Sequence, residues 1–330
     1  MAELLDRLEE LLAQQEARIA KAFRDFIRVM NSDAVTAQVV DLLERGDVPG
    51  ALKIVDSYVA RFASVLPSIQ ATVGAAAAEE LAELASEFIV GISFNPSNPR
   101  AAAFAEANRL TLIREFGAEQ RRATRQAIAR AFQEGTSGPV ATARAFRESI
   151  GLTSGQERWV ANFRAGLENL DRRVLSRALR DRRFDPTVER ALRTRRPLTS
   201  AQIDRMVERY HARALMLRSE TIARTEALRA TAQARQEALN QMVEQIGIDP
   251  RRVSRVWNAT RDERTRDWHS SMQGQQVGLR EKFTDGNGNE LLWPGDPSAP
   301  PETTINCRCV VTFEIKPALQ DSEAGRYSTR

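Results

Sequence analysis

Apolar residues recur every three or four positions through most of the chain, which is the spacing of an amphipathic α-helix. The first such stretch covers residues 3–30, where leucine, isoleucine and phenylalanine fall near one helical face. A second covers residues 33–43, and a third, rich in alanine, runs from residue 51 to 90. Residues 1–90 are therefore predicted to form a helical region, which we expect to serve in docking or oligomerisation.

Helical patterns resume after GISFNPSNP, residues 91–99, whose prolines and asparagines favour a loop. They stop at GTSGP (residues 135–139), and Thr153 or Ser154 can then cap a helix that ends near Leu170. We take the loop at residues 91–99 as the first domain boundary.

The longest helical pattern starts at Thr199 or Ser200 and ends at Gly247. Its apolar positions form one broad stripe, which fits either one long helix or two helices joined near Arg218. Residues 91–247 are accordingly predicted to form a helical stem.

The period changes after Pro250. VSRVWNAT (residues 253–260) alternates and predicts a strand, CVVTFEI (residues 309–315) predicts a buried strand, and DGNGNE between them is a hairpin signal. RDERTRDWHSSM, residues 261–272, predicts a helix.

The predicted fold is mainly α, with an elongated multi-helix stem and a small C-terminal α+β domain over residues 248–315. The polar residues 316–330 are expected to be a disordered tail. The acidic start of the chain does not resemble a signal peptide, and no uncharged apolar run reaches membrane-spanning length, so no membrane segment is expected.

Charge is distributed unevenly. The chain has a net charge of +4, yet residues 1–100 hold 9 basic and 15 acidic residues, so the remainder is strongly basic. Residues 171–196 hold ten arginines against four acidic residues. Arginines of this kind can neutralise phosphates or contact an acidic protein surface, or they can form a solvated surface with local ion pairs. The candidates for contact with nucleic acid or with an acidic protein surface are Arg172, Arg173, Arg177, Arg180, Arg182, Arg183, Arg195 and Arg196.

His269, Cys307 and Cys309 are candidate ligands of a metal ion, because zinc prefers imidazole and thiolate. The C-x-C spacing differs from the C-x₂-C of common zinc sites, and a fourth ligand would have to come from an aspartate such as Asp262, Asp267 or Asp296, or from water. The alternative is that the two cysteines are small core residues while His269 makes a hydrogen bond. No other cofactor is expected.

A hydrolase would pair His269 with Asp262, Asp267 or Glu263 as general acid and base, with Arg264 or Arg266 on a phosphate. The chain has no G-x-S-x-G and no phosphate-cradling loop. Arg224-Thr225-Glu226 lies within a predicted helix, where a structural ion pair is favoured over catalysis.

An ordered series of blocks in the second half of the chain resembles the tailed-phage head morphogenesis family, the Mu F-like minor head proteins. The block IARTE on a helix is followed by a strand tryptophan, then by an acidic and basic segment ending in histidine, a PGDP turn and NCRC. The resemblance covers about residues 91–315. The positions that carry the signature are Arg224, Glu226, Trp257, Asp262, Arg264, Arg266, His269, Gly274, Pro294, Gly295, Asp296, Asn306, Cys307 and Cys309.

The resemblance implies a minor component of the virion, made in the host cytoplasm and located inside the head near the portal vertex. It implies a role in head assembly, with a possible part in DNA packaging or genome delivery. Expected partners are the portal protein and packaged double-stranded DNA, with scaffold or major capsid protein and self-association also open. No catalytic residues come with the family.

Two other functions remain open from the residues alone. One is a metal-assisted nuclease or phosphodiesterase in the C-terminal domain, and the other is a stand-alone protein that binds DNA without sequence specificity. The residues favour a non-enzymatic structural protein over both.

Overall fold

A computed structural model of the protein describes residues 2–84, 92–133, 146–147 and 150–316. The described chain is mainly helical, with a few antiparallel strands near its C-terminal end, which confirms the predicted fold class. The predicted GTSGP break and the predicted tail beyond residue 316 lie outside the described residues.

Long helices account for most of the described chain. In chain order they are α1 (Ala2–Met30), α2 (Asp33–Glu44), α3 (Val48–Ala63), α4 (Val65–Leu84), α5 (Pro99–Gln133), α6 (Ser154–Glu168), α7 (Asp185–Thr194) and α8 (Ser200–Ile246). Short 3₁₀ turns at Arg172–Ser176 and Arg182–Phe184 lie between α6 and α7. A third 3₁₀ turn, at Pro250–Arg252, follows α8.

Helix α8 is unbroken over 47 residues, so the alternative of two helices joined near Arg218 is wrong. The Thr199 hydroxyl accepts from the Gln202 N–H at 3.3 Å, and the Gln202 side chain accepts from the Thr199 N–H at 2.9 Å. This reciprocal capping box satisfies N–H groups that the first helical turn leaves unpaired. Gly247 follows the helix with φ of 70°, a conformation that glycine adopts without steric cost.

Helix α6 is capped in the same way by Thr153, which settles the choice between Thr153 and Ser154. The Thr153 hydroxyl accepts from the Gln156 N–H at 3.1 Å, and the Gln156 side chain accepts from the Thr153 N–H at 3.1 Å.

The C-terminal helices and strands are short, and the paired strands are antiparallel. They are β1 (Val253–Asn258), α9 (Asp267–Ser270), β2 (Gln276–Gly278), β3 (Phe283–Thr284), β4 (Glu290–Leu291), α10 (Pro301–Thr304) and β5 (Val310–Ile315). Strand β1 is central, with the order β2-β1-β5, and its Trp257 pairs with Val311. The predicted hairpin forms between β3 and β4.

The helix predicted over residues 261–272 is wrong for its first half, because only the single turn of α9 is helical. The Asp262 carboxylate accepts from the Arg264 N–H at 3.0 Å, and the Thr265 hydroxyl donates to the Thr260 carbonyl. Side-chain bonds of this kind give the backbone an alternative to helical hydrogen bonds.

Two compact units make up the chain, and each is assembled from segments that are distant in sequence. One unit comprises Met1–Ala17, Val65–Arg109 and Ala223–Arg330, and we call it unit 1. The other, unit 2, comprises Arg18–Ser64 and Leu110–Ile222. The functional division proposed from the sequence, with boundaries near residues 90 and 247, stays a prediction.

Unit 1 has a core in which Trp257, Phe283 and Phe313 pack with apolar residues of α8, such as Leu239 and Met242. The part of α8 in this unit is buried on nearly every side from Ala223 to Val243. A helix surrounded in this way cannot leave its polar side chains in water, so those side chains need partners within the protein.

Unit 2 has an aromatic cluster in which the rings of Phe23, Phe26, Phe62 and Phe116 lie 5.4–6.2 Å apart. Its second core includes Phe163, which stacks on Tyr210 with ring centroids 4.3 Å apart. Among the described residues of both units, no helix combines the length and the apolar character needed to cross a bilayer.

Candidate functional site

His269, Cys307 and Cys309 converge in the core of unit 1. The His269 Nδ1 atom lies 3.5 Å from the Cys307 Sγ and 3.6 Å from the Cys309 Sγ. The three side chains are only 1–2% exposed, and both cysteines are free thiols. The structure therefore places the three predicted metal-ligand candidates next to one another.

Local structure explains this convergence. His269 lies on the single turn of α9, and its ring packs against the edge of the fully buried Trp257 at 5.8 Å between centroids. Gly274, with φ of 75°, turns the chain so that its N–H donates to the Trp257 carbonyl at 2.8 Å. Asn306, with φ of 58°, turns the chain immediately before Cys307.

The two thiols have different electrostatic environments. The hydrogen bond shared with Cys309, and then burial, raise the pKa of Cys307 above its usual value. The hydrogen bond from Cys307 lowers the pKa of Cys309, and the neighbouring His269 acts in the same direction. A thiolate is thus favoured at Cys309 over Cys307, which is the expected outcome when two buried acids share one proton.

Asp262 is committed to a pair of charge-assisted hydrogen bonds from Arg308, the residue between the two cysteines. The Arg308 guanidinium donates to both carboxylate oxygens, at 2.6 Å for the Nη2–Oδ1 pair. This contact, above all, holds the pKa of Asp262 below its usual range. Arg264 lies close by, at 3.7 Å from the same carboxylate, while Arg266 donates to the Ile305 carbonyl.

The PGDP turn is organised by Asp296. Its carboxylate accepts from the Leu292 N–H at 2.7 Å and from the Ser298 N–H and hydroxyl at 2.9 and 2.7 Å. Pro294 and Gly295 form the bend, and Gly295 has φ of 83° and lies against the backbone of Arg229. Neither Asp262 nor Asp296 belongs to the histidine–cysteine group, which among the described residues has three members.

Arg224, Thr225 and Glu226 of α8 each have a different partner. Arg224 lies 3.7 Å from Glu16 of α1, and Glu226 pairs with Arg229 at 3.0 Å. Thr225 provides the direct bond from this triplet to the cysteine segment: its Oγ1 accepts from the Asn306 N–H at 3.2 Å. This neutral hydrogen bond joins the triplet to the terminal domain.

Arg255 is a structural residue that the sequence analysis missed: strand alternation places it on the same face as Val253 and Trp257, but an arginine usually faces water. It is 1% exposed and donates to the carbonyls of Gly278, Glu281 and Leu292 and to the Gln236 side chain. Burial lowers its pKa to about 10, so it stays charged at neutral pH.

Arg235 is a second such residue. It pairs with Glu80 of α4 at 2.6 Å, donates to the Val311 carbonyl and lies over the Phe313 ring at 4.7 Å. Both arginines tie α8 to strands of the C-terminal sheet or to the loops beside it. For Arg235, which lies outside the resemblance blocks, the sequence offered no signal.

The arginine-rich segment lies in unit 2 and contains two kinds of arginine. Arg173, Arg180 and Arg183 pair with Asp171, Asp185 and Asp181 at 2.6–3.0 Å. Among the described residues, no ion pair is found for six further exposed arginines of the segment, namely Arg190, Arg193 and four of the predicted contact residues. These four are Arg172, Arg182, Arg195 and Arg196. Arg177 is also exposed and lies near Asp171.

The architecture defines a class of protein: a mainly helical protein with a small α+β terminal region. Hydrogen bonds join this region to one long helix, and buried histidine and cysteine residues lie within it. Residues 190–312 match the model of the family described as phage Mu protein F like protein. This range includes the hydrogen bonds that join α8 to the C-terminal strands and loops. This match confirms, for residues 190–312, the resemblance drawn from the ordered blocks. No curated protein and no solved structure matches the chain.

Proposed function

We propose that this protein is a minor head component of a tailed phage, which acts in head assembly by binding at the portal vertex. The observation that carries the proposal is the family match over residues 190–312, since the Mu F-like family is one of phage head proteins. The proposed partners are the portal protein and packaged double-stranded DNA. Scaffold or major capsid protein and further copies of the chain are additional candidates.

The contacts of the signature residues support a role in binding and shape. The signature residues Gly295 and Asn306 are bonded to Arg229 and Thr225 of α8. Asp296 organises its own turn, and Asp262 is bonded to Arg308. His269 faces two thiols, whereas an acid–base pair would need it to face a carboxylate. The signature is therefore accounted for by bonds that maintain one surface, as an assembly protein requires.

The exposed arginines of unit 2 support contact with a polyanion. Arg172, Arg182, Arg195 and Arg196 have no recorded acidic partner in the described chain, so their charge is available to phosphate or to an acidic protein surface. Each phosphate that an arginine neutralises releases condensed counterions, which makes the affinity for DNA depend on salt.

DNA binding is tested with the full chain in which these four arginines are replaced by glutamine. The plot of log affinity against log salt should lose about three to four units of slope, at roughly 0.9 per phosphate contact. The matched control replaces Arg61, Arg114, Arg122 and Arg125, which are exposed arginines of the same unit outside the segment. Equal effects of the two quadruple variants would contradict the assignment of this surface.

Portal binding is tested separately, by sedimentation of the protein with assembled portal rings of the same phage. Association that survives salt concentrations at which DNA binding is lost would support a portal partner. Failure to sediment with the ring, and absence from heads assembled in an infection, would overturn the proposed function. The location in the head is tested by an asymmetric reconstruction of the portal vertex.

A further inference from the structure

We propose that His269, Cys307 and Cys309 form a binding site for a thiophilic divalent cation, zinc above all, which fastens α9 to the segment before β5. Cys307 and Cys309 follow His269 by 38 and 40 residues in sequence, yet the three ligand atoms lie within 4.8 Å of one another. The site does not depend on which partner the protein binds, so it stands independently of the proposed function.

The distances between the ligand atoms fit a tetrahedral zinc ion. Zinc binds imidazole nitrogen at about 2.1 Å and thiolate sulfur at about 2.3 Å, which places tetrahedral nitrogen and sulfur ligands about 3.6 Å apart. The His269 Nδ1 lies 3.5 and 3.6 Å from the two sulfur atoms. One cation can therefore contact all three groups without a large movement of the backbone.

The surroundings suit the charge of the bound form. Binding forms two zinc–sulfur bonds and one zinc–nitrogen bond, releases to solvent each proton that the two thiols still carry and changes no oxidation state. Two thiolates then balance the charge of the ion, and the guanidinium groups of Arg266 and Arg308 lie near enough to stabilise the thiolates. Both arginines are held in place, by the Ile305 carbonyl and by Asp262.

Burial indicates a structural ion. All three ligand residues are nearly inaccessible, and the ring of His269 rests against Trp257, which leaves no open face for a large substrate. The chain supplies three of the four positions that zinc takes, so the fourth falls to a water molecule or another small ligand. The buried Nε2 of His269 has no partner among the described protein atoms, and it can bind a second water.

The competing arrangement is a metal-free cluster in which the thiols and the imidazole share hydrogen bonds. Distances of 3.5–3.6 Å are compatible with S–H···N bonds as well as with ligation. The two arrangements differ in what the purified protein contains and in how it absorbs light after cobalt is added. They differ also in whether a chelator changes its stability.

The experiment uses the untagged full chain, purified without chelator and analysed for metal by mass spectrometry. We expect about one zinc per chain in the wild type and less than about a tenth of that in Cys307→Ser and Cys309→Ser. His211→Gln, which removes the only other histidine and lies in unit 2, should retain the metal. Cobalt added to the metal-depleted wild type should produce a thiolate-to-cobalt charge-transfer band, which the serine variants should lack.

A wild-type protein that is folded by circular dichroism, contains no zinc and gives no thiolate–cobalt band would overturn the proposal. So would serine variants that retain the metal content of the wild type. If the serine variants fail to fold, the wild type alone decides: its thermal midpoint should fall on treatment with a strong chelator and return on addition of zinc. An unchanged midpoint, together with the absence of the cobalt band, counts against the site.

Discussion

Thr225, near the middle of α8, holds the backbone of Asn306 next to Cys307: its Oγ1 accepts a hydrogen bond from the Asn306 N–H at 3.2 Å. Thr225 is 6% exposed, and Asn306 has the left-handed conformation that directs the chain toward β5. A single hydroxyl group of the long helix thus helps to place both cysteines. The geometry of the histidine–cysteine cluster therefore depends on α8 as well as on the C-terminal elements.

Replacing Thr225 with valine should weaken unit 1 while preserving the shape of the side chain. The Asn306 N–H would lose its acceptor, which should cost about 1–2 kcal/mol in the free energy of unfolding. Denaturation followed by tryptophan fluorescence can measure the change, since Trp257, Trp268 and Trp293 all belong to unit 1. Thr225→Ser keeps the hydroxyl and should stay close to the wild type; equal losses in both variants would assign the effect to packing.

Replacing Arg255 with methionine should be one of the most damaging single changes in unit 1. The variant would leave three partly buried carbonyl groups and the Gln236 side chain without their donor, at a cost of about 3–5 kcal/mol. The loss should appear as a large decrease in the denaturation midpoint. Arg251→Met removes an arginine four positions earlier whose side chain is 90% exposed, and it should leave the midpoint almost unchanged.

Arg100 and Glu237 should show strong coupling in a double-mutant cycle. Glu237 is 2% exposed and accepts from Arg100 at 2.6 Å and from Gln241 at 3.0 Å. Arg100→Met leaves this carboxylate buried without a cation, whereas adding Glu237→Gln removes the unpaired charge. We expect a coupling free energy of about 1–3 kcal/mol, and additive single effects would show that the pair contributes nothing.

Acid should destabilise unit 2 partly through Asp181. The hydrogen bond from the Arg183 guanidinium, above all, lowers the pKa of the Asp181 carboxyl to about 2, from an ordinary value of 3.8. A carboxyl whose pKa is lower in the folded state stabilises that state fully at pH values above the ordinary pKa. The contribution is lost as the pH falls toward 2.

Thermal unfolding of Asp181→Asn at several pH values tests this linkage. Its midpoint should lie below that of the wild type near neutral pH, and the difference should shrink as the pH falls from about 4 to 2. Glu189→Gln, an exposed carboxylate of α7 for which no ion pair is found in the described chain, provides the control. A difference that stays constant with pH would show that the carboxylate charge has no role.

Much of the fold follows from local pattern. The helical class, the capping position at Thr199, the end of α8 at Gly247 and the hairpin at DGNGNE are consequences of spacing, capping chemistry and turn residues. The Asp262–Thr265 segment differs, because its charged residues favour a helix locally. Its conformation is decided by the bonds of Asp262 to Arg308, 46 residues away.

The sequence predicted which residues form the candidate site, but it did not predict which other residues they contact. His269, Cys307 and Cys309 are conspicuous because the chain has two histidines and two cysteines, and their chemistry indicates a shared ligand. Asp262 and Asp296 were equally plausible fourth ligands, since sequence distance says nothing about which carboxylate an arginine or a backbone N–H will engage. Thr225 had no signal of its own. Arg255 shares the strand face of Trp257, but its charge argued for exposure, since arginines usually face water.

The sequence by itself determined the helical class, the C-terminal end of α8 and the resemblance of residues 190–312 to the Mu F-like family, because these depend on short-range spacing and on an ordered set of blocks. Only the tertiary structure decided that α8 is buried on nearly every side from Ala223 to Val243. Its polar residues resemble a solvated face, yet they pair with side chains from α4 and α5 and with a backbone carbonyl of the C-terminal sheet. A polar side chain can be buried at low cost only when another group forms a hydrogen bond with it. Here that group is distant in sequence, so no local pattern predicts it.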